Sequence, residues 1–149
     1  MVKGFRIPGS QEAHDTAELR LMGKIQSRFS GRVFLLHQYV GLFNQRNGKK
    51  VYIGVKGIAD IGGWLDGRAF QIEVKSGMAV RNKDQEAFGE MAVKTGAIYI
   101  VARFSGRWSA CDELEAERIC CELESAAGSR LLVVAPEPVR KEPDPDQGR

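Results

Sequence analysis

Three side chains near the middle of the chain, Asp60, Glu73 and Lys75, have the types and spacing to hold a divalent cation beside an amine. They flank Asp66-Gly67, a dipeptide that between two extended runs signals a two-residue β-hairpin turn. In such a hairpin Leu65 faces Arg68, and counting outward along both strands sets Asp60 opposite Glu73. Side chains facing each other in this way have Cβ atoms roughly 4.5–5.5 Å apart, and like charges there repel. A divalent cation between the two carboxylates removes that repulsion, and oxygen ligands at this spacing suit Mg²⁺ or Mn²⁺.

The elements that must position these groups can be read outward from the hairpin. On its second strand Phe70, Ile72 and Val74 share one face, while Gln71, Glu73 and Lys75 share the other. The ordinary fate of such a polar face is a solvated Glu–Lys pair. The apolar flanks Ile58, Ile61, Ile72 and Val74 instead imply burial of much of the hairpin. Gly62-Gly63 is the point at which a bulge would shift the register by one residue.

The ordered set Gly57-Ile58-Ala59-Asp60, Glu73-Val74-Lys75, Gln85 and Gly96-Ala97-Ile98-Tyr99-Ile100-Val101 resembles the VRR-NUC (virus-type replication-repair nuclease) domain of the PD-(D/E)XK nuclease superfamily, over roughly Glu12 to Phe104. Glu-X-Lys alone recurs everywhere by chance; the ordered combination is far more specific. The chain departs from the pattern at Ala59, where family members usually carry Pro, and that change removes no ligand.

The resemblance implies a restriction-endonuclease-like α/β fold and metal-dependent hydrolysis of DNA phosphodiester bonds. By the same resemblance Asp60, Glu73 and the Val74 carbonyl hold Mg²⁺ or Mn²⁺. A carboxylate from the first helix adds to the site, with Glu18 the best match and Glu12 the runner-up. Lys75 orients or deprotonates the attacking water and stabilises charge on the phosphate, and Gln85 positions that water or a neighbouring phosphate. The resemblance further implies a homodimer acting on branched DNA such as four-way junctions, in DNA repair, in the cytoplasm of a bacterial or phage-infected cell.

Composition bounds these expectations. With 149 residues, 43% hydrophobic and 28% charged, the chain has the profile of one ordinary globular domain. No apolar run approaches the ~20 residues that span a bilayer, and the opening Met1-to-Pro8 segment lacks the apolar core of a secretory signal. Cys111, Cys120 and Cys121 form an odd count without metal spacing, and Cys120-Cys121 reads as core filling in a reduced compartment. The net charge of +3 hides an asymmetry: residues 112–149 hold ten acids against five bases, leaving 17 bases and nine acids in residues 1–111. The part that carries Asp60 and Glu73 is the basic part, which suits a polyanionic partner.

Residues 1–10 read as a flexible leader, 11–135 as a single nuclease-like domain and 136–149, with its prolines and alternating charges, as a disordered tail. Asp15-Thr16-Ala17-Glu18 is either a capping box or an early turn of a helix begun near Gln11. Glu18 shares a stripe with Met22, Ile25 and Phe29. There it needs a buried partner, unless it sits exposed at the helix start. Arg32 to Tyr39 reads as a strand, Gln45 to Lys50 as a polar turn whose three bases either grip phosphate or, more commonly, are simply solvated, and Val51 to Val55 as another strand. Asn82 caps a helix to Thr95 on which Gln85 either completes a capping box or points inward with Phe88 and Ala92. Ala97 to Arg103 is a buried strand, Asp112 to Ala127 a helix, and Leu131 to Val134 a short strand. His14 and His37 stand alone in the sequence and receive no role. The rival readings are a less selective endonuclease on nicked, flapped or duplex DNA, a non-catalytic DNA-binding module, and a protein with a structural cation.

Overall fold

The computed structural model describes residues 10–128. Its order is α1 (Ser10–Arg28), β1 (Val33–His37), β2 (Gly41–Asn44), β3 (Lys50–Ile53), β4 (Ile61–Leu65), β5 (Arg68–Ser76), α2 (Lys83–Lys94), β6 (Ile98–Phe104) and α3 (Ala110–Gly128). This is a mixed α/β fold: a four-stranded sheet ordered β1-β4-β5-β6, with the three helices around it. The expected leader otherwise precedes the described residues, and the expected strand at 131–134 and the tail follow them.

The hairpin that opens the site forms as its sequence requires. Asp66 and Gly67 both take positive φ, 50° and 79°, the geometry of a turn whose twist matches the flanking strands. Arg32 clamps the turn to β1, its Nε 3.0 Å from Asp66 Oδ1 and its Nη2 2.5 Å from Oδ2. The register runs from Leu65↔Arg68 to Ile61↔Ile72 without a bulge. Gly62 and Gly63 serve close approach instead: a Cβ on Gly63 would lie 2.1 Å from the Phe34 carbonyl oxygen, and one on Gly62 would lie 2.3 Å from Gln38 Nε2.

β5 is the strand on which both layers depend. Phe70, Ile72 and Val74 are fully buried against α1 and α3, in a core that also takes Leu21 and Ile25 from α1, Phe29 just beyond its end, and Ile119 and Leu123 from α3. Each such side chain contributes roughly 1.5–3 kcal/mol through burial. The parallel β5–β6 pairing needs a crossover, which α2 supplies, and it brings Gln85 over Glu73 and Lys75 on the opposite face of β5. Ala116, Ile119, Cys120, Leu123 and Ala127 of α3 are all buried as the stripe predicts; Cys121 is exposed, so only one of the adjacent cysteines fills the core.

α1 begins at Ser10, so of the two readings of Asp15 to Glu18 the early turn of a helix begun near Gln11 holds and the capping box does not. The structure corrects the sequence reading in two places. β2 was not anticipated, and it pairs with β3 in a two-stranded sheet of its own, because both strands carry apolar residues without a polar face. β6 alternates in burial, with Arg103 exposed, since it is the last strand of the sheet order and α2 covers its second face only in part. Among the described residues no helix is long and apolar enough to cross a membrane.

Two glycine substitutions test this packing. Gly63→Ala should destabilise by roughly 1–3 kcal/mol through overpacking against the Phe34 carbonyl. Gly23→Ala on α1, where nothing lies within 4 Å of the new methyl, should stabilise by up to about 1 kcal/mol through helix propensity. Urea midpoints that moved the same way for both would contradict the register.

Candidate metal centre

The site assembles from four elements. Glu18 and His14 lie one helical turn apart on α1, so both reach the sheet from the same face. Asp60 immediately precedes β4, and its Oδ2 accepts the Val74 backbone N–H at 2.7 Å, which ties it to β5 one residue from Glu73. Its own carbonyl accepts the Gln38 N–H at 2.8 Å. Glu73 and Lys75 come from the polar face of β5, and Gln85 comes from α2.

The side chains fall into two adjoining groups. In the first, His14, Glu18 and Asp60 offer ligand atoms all within 4.8 Å of one another. The His14 ring lies 3.0 Å from Glu18 Oε1 through Nδ1, and 3.0 Å from the Val74 carbonyl and 3.9 Å from Asp60 Oδ2 through Nε2. His37 Nε2 takes the other Glu18 oxygen at 2.5 Å. In the second group Lys75 Nζ lies 2.7 Å from Glu73 Oε1 and donates to Gln85 Oε1 at 3.1 Å, while Gln85 Nε2 donates to the same Glu73 oxygen. Gln85 also closes the capping box of α2: Asn82 Oδ1 accepts the Gln85 N–H and Gln85 Oε1 accepts the Asn82 N–H. Both functions foreseen for Gln85 thus coexist.

No family model, no curated protein and no solved structure matches the chain. The site must therefore be judged on its own chemistry.

Burial separates these acids from an ordinary structural one. Asp112 is also buried, yet it accepts hydrogen bonds from Ser105 and Ser109 backbone and hydroxyl groups. Burial works to raise its pKa, but those donors outweigh it and hold the carboxyl below its usual value. Asp60 and Glu73 go the other way. Desolvation is the main cause for both; the Val74 N–H partly offsets it for Asp60, and Lys75 for Glu73. Glu18 raises Asp60 further, and Asp60 raises Glu73. Glu73 Oε2 is buried without a hydrogen-bond partner among the described residues. A buried carboxylate oxygen without a partner is a condition that a divalent cation relieves, and the Glu18 and Asp60 carboxylates are hard oxygen donors of the kind Mg²⁺ or Mn²⁺ takes. Glu73 adjoins the close group of His14, Glu18 and Asp60 without belonging to it.

His14 is the residue that sequence reasoning missed. Both its ring nitrogens face acceptors, and a neutral imidazole has only one N–H to give. The Glu18 carboxylate, aided by Asp60 and the Val74 carbonyl, lifts it against desolvation to a pKa of about 9, so it is an imidazolium at neutral pH. The i,i+4 spacing of His14 and Glu18 was visible in the sequence; their common approach to Asp60 was not. Glu12 is exposed in the first turn of α1 and belongs to neither group, whereas Glu18 is buried within the first.

The raised pKa fixes two pH dependences. Stability owed to His14 protonation is fully present below about 6.5 and is lost as pH rises through about 9. A cation binding at Glu18, Asp60 and Val74 must displace the His14 proton or the ring. Apparent Mn²⁺ affinity, measured by calorimetry, should therefore rise about tenfold per pH unit from about 6.5 to 8.5, with one proton released. In His14→Gln the affinity should be nearly flat over that range.

Proposed function

We propose that this protein is a metal-dependent nuclease that hydrolyses phosphodiester bonds in DNA. The observation that carries the proposal is the gathering of Glu18, Asp60 and the Val74 carbonyl around the His14 ring, next to a buried Glu73 with an unpaired oxygen. These are the ligands that the VRR-NUC resemblance implies, and the fold is compatible with the restriction-endonuclease-like one it calls for. Glu18, Asp60 and the Val74 carbonyl, with Glu73, would hold Mg²⁺ or Mn²⁺. When bound, the ion supplies Lewis acidity toward a phosphoryl oxygen and an acidified water.

The chain's own residues do the rest. Lys75 is buried, with its ammonium set by Glu73 and Gln85, so it presents a fixed positive charge to the phosphate and a fixed N–H to an attacking water. Gln85 locks that geometry because its own oxygen is pinned at the α2 N-terminus. The core beneath β5 prevents either group from shifting.

The basic first part of the chain suits DNA, and the resemblance favours branched DNA cut by a symmetric dimer, whose twofold would match that of a four-way junction. His14 favours one second reading. As an imidazolium it already neutralises part of the acidic cluster, so the cluster could be a structural network in a non-catalytic DNA-binding module.

Activity assays on labelled linear, flapped and four-way DNA, with and without Mn²⁺, separate these readings. Asp60→Asn and Glu73→Gln keep shape and avoid stranding the Val74 N–H or the Lys75 ammonium, so both variants should fold. Both should lose cleavage and the rise in melting temperature that Mn²⁺ gives the wild type. If both cut at wild-type rates, the site assignment is wrong; a wild type that neither cuts nor responds to Mn²⁺ favours the binding module. A monomer by sedimentation that cuts linear duplex as readily as junctions leaves the less selective endonuclease.

Lys75→Met should separate binding from chemistry. Turnover should fall at least ~10²-fold, as for a positioned proton-transfer or charge-stabilising group, with DNA affinity little changed. Normal turnover at saturation would make Lys75 only a phosphate clamp.

A further inference from the structure

The β2–β3 hairpin is the part of the molecule that neither the core nor the metal centre explains. A two-stranded sheet is marginally stable alone in water, and here neither face is covered by another element among the described residues. Leu42 and Tyr52 share one face, Phe43, Val51 and Ile53 the other, and all are exposed, Leu42 by 66% and Ile53 by 53%. Exposed apolar surface of this extent marks a binding surface.

Charge indicates what binds. Between Glu18 and Asp60 the sequence holds eight Lys and Arg residues and no acid. Lys24, Arg28 and Arg32 of this stretch are paired with acids of α3 or the hairpin turn. Arg46, Lys49, Lys50 and Lys56, which belong to the β2–β3 arm, have no acidic partner among the described residues, and Lys56 Nζ sits 5.9 Å from the Tyr52 ring centroid. An acid-free arm with bases at its tip and aromatic rings along its strands is complementary to a strand of nucleic acid, which offers phosphates outside and π-faces inside.

Position connects the arm to the metal centre. Its root is held by the Gln38 N–H on the Asp60 carbonyl at 2.8 Å. Tyr39, 73% exposed, packs its ring on His37 with centroids 4.2 Å apart, and His37 holds Glu18. The root of the arm therefore adjoins the acidic cluster.

We infer that the β2–β3 hairpin is a DNA-engaging wedge, with Arg46, Lys49 and Lys50 gripping phosphates and Phe43 and Tyr52 stacking on bases left unpaired at a branch. This rests on the DNA reading above and adds how the substrate's branch is felt. Base stacking on aromatic side chains is sequence-tolerant, and apolar wedges at base steps are a common device of proteins that bind distorted DNA.

The test is binding measured by fluorescence anisotropy in EDTA, so that no cleavage enters, on a four-way junction, a single strand and a blunt duplex. Arg46→Ala/Lys49→Ala/Lys50→Ala should weaken all three complexes at least ~10-fold and reduce the slope of log affinity against log salt by roughly 2–3, about 0.7–0.9 per lost phosphate contact. Phe43→Ala/Tyr52→Ala should weaken the junction and single strand by at least ~5-fold, leaving the blunt duplex and the salt slope unchanged. Urea midpoints should match the wild type, since the arm lies outside the core. Wild-type affinity in both variants overturns the inference, and a simultaneous change from dimer to monomer in sedimentation assigns the arm to a second copy of the chain. Cleavage with Mn²⁺ on the same DNAs keeps the two readings apart. A wild type that binds through the arm but never cuts sinks the nuclease alone; variants that bind and cut normally sink the wedge alone.

Discussion

Three carboxylates largely withdrawn from water in one neighbourhood set the terms for the rest of this structure. Removing an ion from water costs several kcal/mol even after relaxation, and Glu18, Asp60 and Glu73 also oppose one another. The surrounding structure can be understood as compensation. Glu18 receives a histidine on each oxygen, Asp60 receives a backbone N–H from β5, and Glu73 receives a lysine and a glutamine on one oxygen. For these contacts to exist, α1 must dock with its second turn over the end of the sheet, and α2 must lie against the polar side of β5. The compensation stops short at Glu73, which marks the cluster as unfinished in a way that the fully satisfied Asp112 is not.

What could be read from the sequence was what depends on neighbours in the chain. Asp66-Gly67 dictates its turn through the backbone torsions of two residues, and the turn dictates every pairing up to Ile61↔Ile72. Asn82 and Gln85 announce a capped helix by the same local logic. Burial of Glu73 and Lys75 could be argued from their apolar neighbours. His14 could not be found this way, because its contacts with Asp60 and Val74 span 46 and 60 positions and exist only through the packing of α1 on β5. The β2–β3 arm escaped for another reason: with apolar residues on both faces, its strands carry no alternation to betray them.

β5 shows how the core and the candidate site share one strand. Phe70, Ile72 and Val74 anchor it in the core, and the alternate residues Glu73 and Lys75 are thereby held in place on the other side. A site built this way inherits the rigidity of the core beneath it, as any precise placement of ligand groups requires. The cost is that a change at Ile72 or Val74 is felt at the site as well as in the core.

The parallel pairing of β5 with β6 has a consequence for how the chain reaches this state. The β4–β5 hairpin can close early, since its turn is two residues long, but β5 gains its second neighbour only after the whole α2 crossover has folded back. Contacts between residues distant in the chain are the slow ones, because loop closure must precede the gain they bring. Glu18, Asp60, Glu73 and Gln85 come from segments that meet only when the crossover and the docking of α1 are both complete. An emerging polypeptide therefore cannot assemble the cluster until both of these long-range contacts are in place.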